Sequence, residues 1–410
     1  MLEHFFRSHK RIQALREGPQ GSLLEGFAEE LCRTGYTKMT AHARIRAAEH
    51  LLHWTKREGV PISDFTEDLL KRFRQHLGYC RCPGFGPIRL ESFAGDRLFL
   101  KYLRSTGSLT VATEPKQDPP LLLAFRQWMR QERGTCDHTL TYYGLSIRAL
   151  LARLGEDPRR FDAQSLRQFV LETHRQSEWG VAKRCITALR MFLRFLIAEG
   201  QCAADLEAAI PALAHWRLSA LPRYLLPEDV ERVIASCPPT PNGRRDRTML
   251  LLLARMGLRA GDIVTLRLGD IDWKEATVRV SGKGRRETQL PLTQEVGDAV
   301  VDYLRVRPHT ETDVLFVCTG APFRALGSQT PVSAMVARAM RRAGVVCPSR
   351  GAAHVLRHSV ATAMLRHGAS LQEIATVLRH RSLETTEIYA KVDVTALKQI
   401  AQAWPEVQPC

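Results

Sequence analysis

The segments H-V-L-R-H-S-V-A-T at residues 354–362, L-R-H-R at 378–381 and T-T-E-I-Y at 385–389 decide how the rest of the chain is interpreted. His354 and Arg357 are three residues apart, so in a helix they lie on one face. The start of a helix carries a partial positive charge that favours a phosphate. The third segment ends in a tyrosine. Histidine, arginine and tyrosine around one phosphate indicate covalent attack on a phosphodiester.

Each segment has a plainer interpretation when it is taken alone. An H-x-x-R pair arises by chance in many helices, and a single tyrosine near a C-terminus is commonly part of a hydrophobic core. The chemical interpretation therefore depends on the order of the segments and on the sequence that precedes them.

The composition predicts a globular protein with an acidic partner. The 410 residues are 44% hydrophobic and 25% charged, which is enough for two or three domains with ordinary cores. The 59 lysines and arginines exceed the 43 acidic residues and give a net charge of +16. This excess favours nucleic acid, because neutralising phosphates releases counterions. A generally basic protein, or one that binds an anionic membrane surface, is the alternative on charge alone.

The sequence shows no membrane or secretion signal. The longest aliphatic run, 249–254, is far shorter than the ~20 residues of a membrane span. The first ten residues lack the apolar core of a signal peptide. The ten cysteines are scattered, which is unlike a secreted disulfide framework. We therefore expect a cytoplasmic, nucleoid-associated protein with no membrane partner.

No cofactor is predicted. Cys80 and Cys82, with His76 nearby, resemble half of a zinc site, but their spacing does not match a standard zinc finger. No P-loop is present, and no acidic pair stands where a two-metal nuclease would need it. The expectation is neither a metal nor a nucleotide.

The first half of the chain contains an internal repeat. The helical segment R-L-F-L-K-Y-L-R-S-T-G at 97–107 matches R-M-F-L-R-F-L-I-A-E-G at 190–200 almost position by position. We infer a duplicated four-helix module, with two unrelated helical bundles as the alternative. Residues 1–20 show no clear period and are expected to form an arm or a fraying helix. Proline-containing linkers are predicted at 108–120 and about 205–226.

The second half of the chain is predicted to be mixed. Alternating β-branched residues predict strands at 271–273, 276–280 and 288–292, and a further short strand at 313–317. The segment S-G-K-G-R-R at 281–286 is the predicted hairpin tip. Helices fill the remainder, so the fold class is mainly α with a small β-sheet.

The second half resembles the tyrosine recombinase, or phage integrase, family over roughly residues 222–395. The family's motifs appear in order as A-R-M-G-L-R-A-G-D at 254–262, S-G-K-G at 281–284, H-V-L-R at 354–357, L-R-H at 378–380 and T-T-E-I-Y at 385–389. The resemblance implies six catalytic residues, which are Arg259, Lys283, His354, Arg357, His380 and the nucleophile Tyr389.

The residue types suit the chemistry of a scissile phosphate. Arg259 and Arg357 provide fixed, permanently charged donors to its non-bridging oxygens. Tyr389 would attack phosphorus and form a 3′-phosphotyrosyl link that conserves the bond for rejoining. Asp262 matches an acidic position of the family and is expected to position Arg259. A surface arginine at the end of a helix is the plainer interpretation of Arg259 alone.

The other three residues would handle protons and hydrogen bonds. The resemblance implies that Lys283 protonates the departing 5′-oxygen and that His380 donates a hydrogen bond to the phosphate. His354 is expected to act as general base toward the tyrosine, since its ordinary pKa lies near working pH. A solvated turn lysine and a buried structural histidine are the alternatives for Lys283 and His380.

Two positions depart from the family's usual pattern. Arg379 stands where the family commonly has glycine before its second histidine, so either a differently shaped helix end or an added phosphate contact is expected. Lys391 stands where many relatives have histidine, which is expected to affect subunit docking more than chemistry.

The resemblance also implies a domain order. Residues 1–116 are predicted to be an N-terminal helical domain, interpreted as a duplicate of the core-binding module, which would extend the DNA footprint or bind neighbouring subunits. Residues 117–221 are predicted to be the helical, SAM-like core-binding domain. Residues 222–410 are predicted to be the mixed α+β catalytic domain, with a C-terminal tail that packs on another subunit.

The predicted function is site-specific DNA recombination for integration, excision or transposition of a mobile element. The expected partners are double-stranded DNA, further copies of the chain in a synaptic tetramer, and sister recombinases. Two alternatives are a non-catalytic DNA-binding accessory on the same fold and a DNA-relaxing enzyme like the type IB topoisomerases.

Overall fold

The computed structural model describes residues 1–85, 93–109, 118–176, 179–212, 222–281, 287–347, 351–380 and 382–392. None of the helices in these ranges has the length and apolarity that crossing a membrane requires. Spatial proximity groups Met1–Thr110 with Leu218–Cys410 and sets Val111–Arg217 apart as a second unit. The predicted domain boundaries, after residues 116 and 221, lie outside the described residues and remain predictions.

The described part of residues 1–109 is helical. Its helices are α1 (Leu2–Phe5), α2 (His9–Glu17), α3 (Gly21–Arg33), α4 (Lys38–Arg57), α5 (Glu67–Leu77) and α6 (Phe93–Ser105). Thr37 and Thr66 cap α4 and α5, since each side-chain oxygen accepts a backbone N–H of the first turn. The apolar faces meet in one core, in which Phe27, Phe73 and Phe99 are buried.

Residues 1–20, predicted to form an arm or a fraying helix, are helical as the second alternative has it, but they are packed in the core and do not form an arm. Helices α1 and α2 place Leu2, Ile12 and Leu15 in the same core as α3 to α6. The N-terminal ammonium forms an ion pair with Glu25 of α3. Helices of four and nine residues are too short to display a clear apolar period, so the pattern gave no sign of this packing.

The second unit is a four-helix module, formed by α7 (Pro120–Arg133), α8 (Asp137–Leu154), α9 (Ala163–Gln176) and α10 (Trp179–Ala198). Phe125, Leu189 and Phe192 are fully buried in its core. The second helix packs closely on the fourth, as α4 packs on α6 in the preceding module. A 3₁₀ turn joins the second and third helices in both modules. Duplication of the module nevertheless stays a prediction.

The last part surrounds a large core with helices and a small sheet. Its helices are α11 (Pro227–Ala235), α12 (Pro241–Arg255), α13 (Ala260–Thr265), α14 (Gln294–Leu304), α15 (Thr330–Arg342), α16 (Ala352–Arg366) and α17 (Leu371–Val377). The central helix is α12, which contacts α14 and α16, and its residues Met249–Leu253 are all buried. The apolar side chains at 249–253 are thus all covered by the other elements of this part of the chain.

The described residues include an antiparallel sheet in the order β1–β2–β3, formed by β1 (Ile271–Asp272), β2 (Thr277–Ser281) and β3 (Glu287–Pro291). Val278 and Val280 face the core while Arg279 points to solvent, as the alternating pattern predicted. The three predicted strands are therefore confirmed, together with the mainly α fold class. The hairpin tip, residues 282–286, lies outside the described residues.

The predicted strand at 313–317 was wrong. Only isolated bridges occur there, between Arg267 and Val314 and between Val317 and Ala325. Leu315, Phe316 and Val317 are all fully buried. These apolar residues belong to an irregular segment that passes through the core. Composition alone cannot distinguish such a buried segment from a strand.

Candidate active site

A tight turn after α12 places the first predicted arginine. Gly257 has a positive φ of 61°, and a Cβ there would lie 2.6 Å from Leu378 Cδ2, so glycine is strongly favoured because any other residue would be strained and would displace Leu378. Arg259 is the N-cap of α13, and Asp262 accepts its backbone N–H at 2.8 Å. The Arg259 guanidinium donates to the carbonyl of Arg379 at 3.0 Å. The expected positioning of Arg259 by Asp262 thus acts through the backbone.

The second predicted arginine lies beside the first. Arg357 is only 5% exposed in α16, and its guanidinium donates to the carbonyl oxygens of Gly257 and Leu378. Arg259 donates to the same Leu378 carbonyl at 3.4 Å. Residues nearly a hundred positions apart therefore share one backbone acceptor. The structure brings the two arginines of the predicted clamp together.

Arg379 joins this pair from the end of α17. It has a left-handed φ of 52°, the conformation that glycine adopts most readily, so the helix end keeps the shape of a glycine turn. Its side chain is 7% exposed and forms an ion pair with Asp262. Within the described part of the chain, its Nε and Nη1 have no hydrogen-bond partner. The residue therefore adds a third positive charge, on a buried side chain, beside the half-buried Arg259 and the buried Arg357.

This arginine cluster (Arg259, Arg357 and Arg379) carries three positive charges, and a carboxylate lies beside it. Asp262 is the carboxylate that pairs with it among the described residues. Burial lowers the pKa of the Arg357 guanidinium, and repulsion from Arg259 and Arg379 lowers it further. Arginine nonetheless stays charged at neutral pH. An anion such as a phosphate would relieve both the repulsion and the unpaired donors.

His380 lies against the same cluster. Its Nδ1 is 2.7 Å from the Oγ1 of Thr386, which is fully buried. Burial, followed by the charges of Arg357 and Arg259, lowers the pKa of His380 to about 4. The imidazole is therefore neutral at pH 7. Its donor role toward a phosphate stays a prediction, as does the structural alternative.

The predicted nucleophile is buried. Tyr389 is 1% exposed and packs with Ala361, Ile374 and Leu378. Its hydroxyl oxygen is 2.7 Å from Nδ1 of His358. Burial raises the pKa of Tyr389 to about 12, although the positive charge of Arg357 opposes the shift. The phenol is therefore neutral and held inside the domain.

Sequence reasoning gave no role to His358, the imidazole that contacts the tyrosine. Burial, with the nearby His354 and Arg357, lowers the pKa of His358 to about 4, so it is neutral at pH 7. One available signal was its spacing, because His358 is four residues after His354 and lies on the same helix face. A neutral Nδ1 in its acceptor tautomer can take the hydrogen bond of the phenol.

One predicted residue, His354, remains outside this contact network, and another cannot be placed because it lies outside the described residues. His354 is exposed in the first turn of α16, and partial desolvation, with the charges of Arg357 and Arg259, lowers its pKa. Lys283 lies outside the described residues. The described residues therefore bring together Arg259, Arg357, His380 and Tyr389, with His354 at the edge.

The left-handed turn at residue 379 leads to a stability prediction. Arg379→Gly and Arg379→Ala both lose the ion pair with Asp262. Alanine alone must also adopt the left-handed conformation, which costs about 1 kcal/mol. We expect Arg379→Gly to have the larger free energy of unfolding by about this amount, measured by urea denaturation.

The matched control is an exposed helical position of α17. At Thr376 the order should reverse, because glycine is about 1 kcal/mol less favourable than alanine inside a helix. Equal stability of the two Arg379 variants would show that the backbone at 379 is not left-handed in solution.

Comparison with known families identifies two parts of the chain. Residues 223–395 match the phage integrase family. Residues 122–200 match the N-terminal SAM-like domain of phage integrases. The second match confirms the predicted SAM-like module within 117–221, and the first spans the whole arginine cluster and Tyr389.

Relatives of known class match most of the chain. A protein of Sinorhizobium fredii named as an integrase/recombinase, y4rA, is 34% identical and covers 98% of this chain and 99% of its own length. The tyrosine recombinase XerC of Pseudomonas aeruginosa is 31% identical, covering 68% of this chain and 91% of that relative. Because the y4rA match covers 98% of the chain, it includes the N-terminal helices.

Solved structures share the fold. XerH recombinase bound to a palindromic difH substrate has a TM-score of 0.54 at 20% identity, covering 67% of this chain and 82% of its own. A lambda integrase dimer bound to a COC′ core site has a TM-score of 0.52 at 19% identity, covering 70% and 98%. At these identities the likeness concerns the fold alone.

Proposed function

This chain belongs to the phage integrase family of tyrosine recombinases, and from this premise we propose that it is a site-specific recombinase that cuts and rejoins duplex DNA through a 3′-phosphotyrosyl link at Tyr389. One observation carries the proposal. The arginine cluster holds three positive charges against the carboxylate of Asp262: the side chains of Arg357 and Arg379 are buried, Arg259 is half-buried, and a buried tyrosine lies beside them. Such a site is built to receive a phosphate.

Phosphate binding would exchange one set of acceptors for another. Arg357 and Arg259 now donate to the backbone carbonyls of Gly257 and Leu378. The non-bridging oxygens of a scissile phosphate carry more negative charge than these carbonyls, and this charge grows in the transition state. Charge-assisted hydrogen bonds to the phosphate would therefore be stronger than the present ones.

The proposed reaction is a pair of transesterifications. The Tyr389 oxygen attacks phosphorus, the bond from phosphorus to the 5′-oxygen breaks, and a 3′-phosphotyrosine forms. The phenol loses its proton to a base, for which we propose His354, and Lys283 protonates the departing 5′-oxygen. In rejoining, a 5′-hydroxyl attacks the phosphotyrosine and releases Tyr389. Because one phosphodiester replaces another, no external energy source is needed.

We assign His358 the positioning of Tyr389 before DNA binds. Its Nδ1 lies 2.7 Å from the phenol oxygen, whereas His354 has no described contact with it. Because Tyr389 is 1% exposed, a phosphate reaches it only if the 3₁₀ turn Glu387–Val392 shifts. The DNA-free arrangement thus keeps the nucleophile from reacting with other phosphates or solvent.

The cellular role is the less direct part of the proposal. The relatives named as integrases support integration, excision or transposition of a mobile element. We include a synaptic tetramer, with or without sister recombinases, because exchange between two duplexes requires four strand cleavages. The helices of residues 1–109 would add DNA or subunit contacts to this assembly.

Covalent trapping tests the proposed function. Purified protein is incubated with nicked duplexes from the DNA that flanks its own gene, in EDTA, and resolved on denaturing gels. A nick just downstream of the scissile phosphate lets the short fragment with the new 5′-hydroxyl diffuse away, so the covalent intermediate accumulates. We expect a slow-migrating adduct on at least one flank without added metal.

Other outcomes would favour the alternative functions. Specific binding without an adduct on any flank would support the accessory protein. Relaxation of a supercoiled plasmid that lacks any flanking sequence would support the topoisomerase-like enzyme. Either result would contradict site-specific recombination by this chain alone.

A further inference from the structure

Four side chains with metal-binding chemistry meet in the N-terminal helices. His50 lies in the middle of α4 and His76 in the last turn of α5, and Cys80 and Cys82 follow α5. One ligand atom from each lies within 4.8 Å of all the others. We propose that these residues, the His50 cluster, bind a structural zinc ion that fastens the segment after α5 to α4.

The distances fit a tetrahedral ion. Cys80 Sγ is 3.3 Å from His50 Nε2, and Cys82 Sγ is 3.4 Å from His76 Nε2. A tetrahedron with zinc–sulfur bonds near 2.3 Å and zinc–nitrogen bonds near 2.0–2.1 Å has sulfur–nitrogen edges of about 3.6 Å. These two pairs need to move by only a few tenths of an ångström, and the remaining pairs, all within 4.8 Å, need to close by about 1.5 Å at most.

The donor set selects zinc among common metals. Two thiolates and two imidazoles are the ligands of structural zinc sites, whereas magnesium and calcium prefer oxygen donors. Binding releases the two thiol protons, so the ion and its two thiolates carry no net charge. A neutral assembly is compatible with the burial of His50 and Cys82, which are 0% and 3% exposed.

The surroundings support ligation. The Cys82 backbone N–H donates to Cys80 Sγ at 3.3 Å, and Arg57 donates to Cys82 Sγ at 3.5 Å. Both contacts stabilise sulfur in its thiolate form. Phe85 stacks on the His50 ring at 4.2 Å between centroids, which orients the imidazole and shields it from water.

Without a metal, the His50 cluster has little to offset its burial. His50 is surrounded by aromatic rings, and its Nδ1 has no hydrogen-bond partner among the described residues. Burying an imidazole with an unpaired nitrogen costs free energy. A bond from Nε2 to zinc would leave Nδ1 unpaired, but it would replace the weak contact between Nε2 and the Cys80 thiol with a stronger one. It would thereby offset part of the cost of burial and hold Cys80 and Cys82 beside α4.

The sequence pointed to three of the four ligands of this site. Cys80, Cys82 and His76 are close in sequence, but the fourth ligand comes from another helix. The pairing of α4 with the segment after α5 depends on tertiary packing, which no spacing rule reveals. The expectation of no metal followed from a spacing that does not match a standard zinc finger.

Metal analysis of the full-length chain tests the site. We expect one zinc per chain after purification without added metal, and loss of that zinc in the double variant Cys80→Ser/Cys82→Ser. Cys32→Ser is the matched control, because Cys32 packs on the same core away from the His50 cluster. A strong chelator should lower the melting temperature of the wild type and of Cys32→Ser, but not that of the double variant.

Cobalt substitution gives a readout that is independent of variant stability. Wild-type protein, stripped of metal and loaded with Co²⁺, should show the visible d–d bands of a tetrahedral ion and sulfur-to-cobalt charge transfer. A wild-type chain that carries no zinc and gives no such bands overturns the proposal. Full zinc retention by the folded double variant also overturns it, because the metal would then lie elsewhere.

Discussion

Replacing Tyr389 with phenylalanine is expected to abolish the covalent protein–DNA adduct while leaving DNA binding within about twofold, a change well below 1 kcal/mol. The substitution removes only the hydroxyl that would attack phosphorus. Loss of a covalent nucleophile costs on the order of 10⁴–10⁶ in rate, so no adduct should be detectable. The measurement is single-turnover cleavage of a nicked duplex by a denaturing gel, with gel-shift titration for binding.

The variant should remain folded. The ring of Tyr389 packs with Ala361, Ile374 and Leu378, and phenylalanine keeps these contacts. It loses the hydrogen bond to His358, which contributes about 1 kcal/mol. The midpoint of unfolding should therefore shift by only a few degrees for a chain of this size.

Tyr224→Phe is the matched control for this experiment. Tyr224 accepts a hydrogen bond from Arg366 on α16, so it also loses a hydroxyl contact to that helix. Its adduct yield should equal that of the wild type. An adduct that persists in Tyr389→Phe but disappears in Tyr224→Phe would refute the assignment of the nucleophile.

The fold was predictable where a local pattern carries the information. The stripes of α3 to α6 and the alternation of β2 follow from side-chain period alone. The failures came where burial is complete or the element is short. The run at 313–317 is buried without pairing as a strand, and α1 and α2 are too brief to show which face is apolar.

The sequence predicted which residues belong to the candidate site, but it did not predict the contacts between them. Motif order selected Arg259 and Arg357, and the structure places both on the Leu378 carbonyl. The contact between His358 and Tyr389 joins residues 31 positions apart, and the pair of Arg379 with Asp262 joins residues 117 apart. Such contacts depend on how helices pack, which residue type and spacing do not specify.

Replacing Arg357 with lysine is expected to lower the cleavage rate by about 10²–10³, the scale for losing one preorganised donor to the transition state. Lysine keeps the positive charge but loses the planar fork that can hold two oxygens at once. In the DNA-free protein that fork donates to both Gly257 and Leu378. The measurement is single-turnover cleavage at saturating protein, so that altered binding does not enter the rate.

Arg366→Lys is the matched control, since Arg366 lies in the last turn of the same helix and is exposed. Its cleavage rate should stay within about twofold of the wild type, as is usual for surface substitutions. Arg357→Lys should also lose about 1–3 kcal/mol of unfolding free energy, because one buried carbonyl is left without its donor. Cleavage is measured well below the melting temperature of Arg357→Lys, so that its lower stability does not reduce the rate.

A methylphosphonate at the scissile position tests whether the fork of Arg357 holds both non-bridging oxygens. Replacing one of these oxygens by methyl removes a hydrogen-bond acceptor together with the negative charge. If the guanidinium contacts both oxygens, the difference between wild type and Arg357→Lys should shrink on this substrate. An unchanged ratio would mean that Arg357 acts by holding Gly257 and Leu378 in place. The contacts of Arg357 with backbone carbonyls would then have only a structural role. Binding of the phosphate would have to be assigned to Arg259 and to the unpaired donors of Arg379.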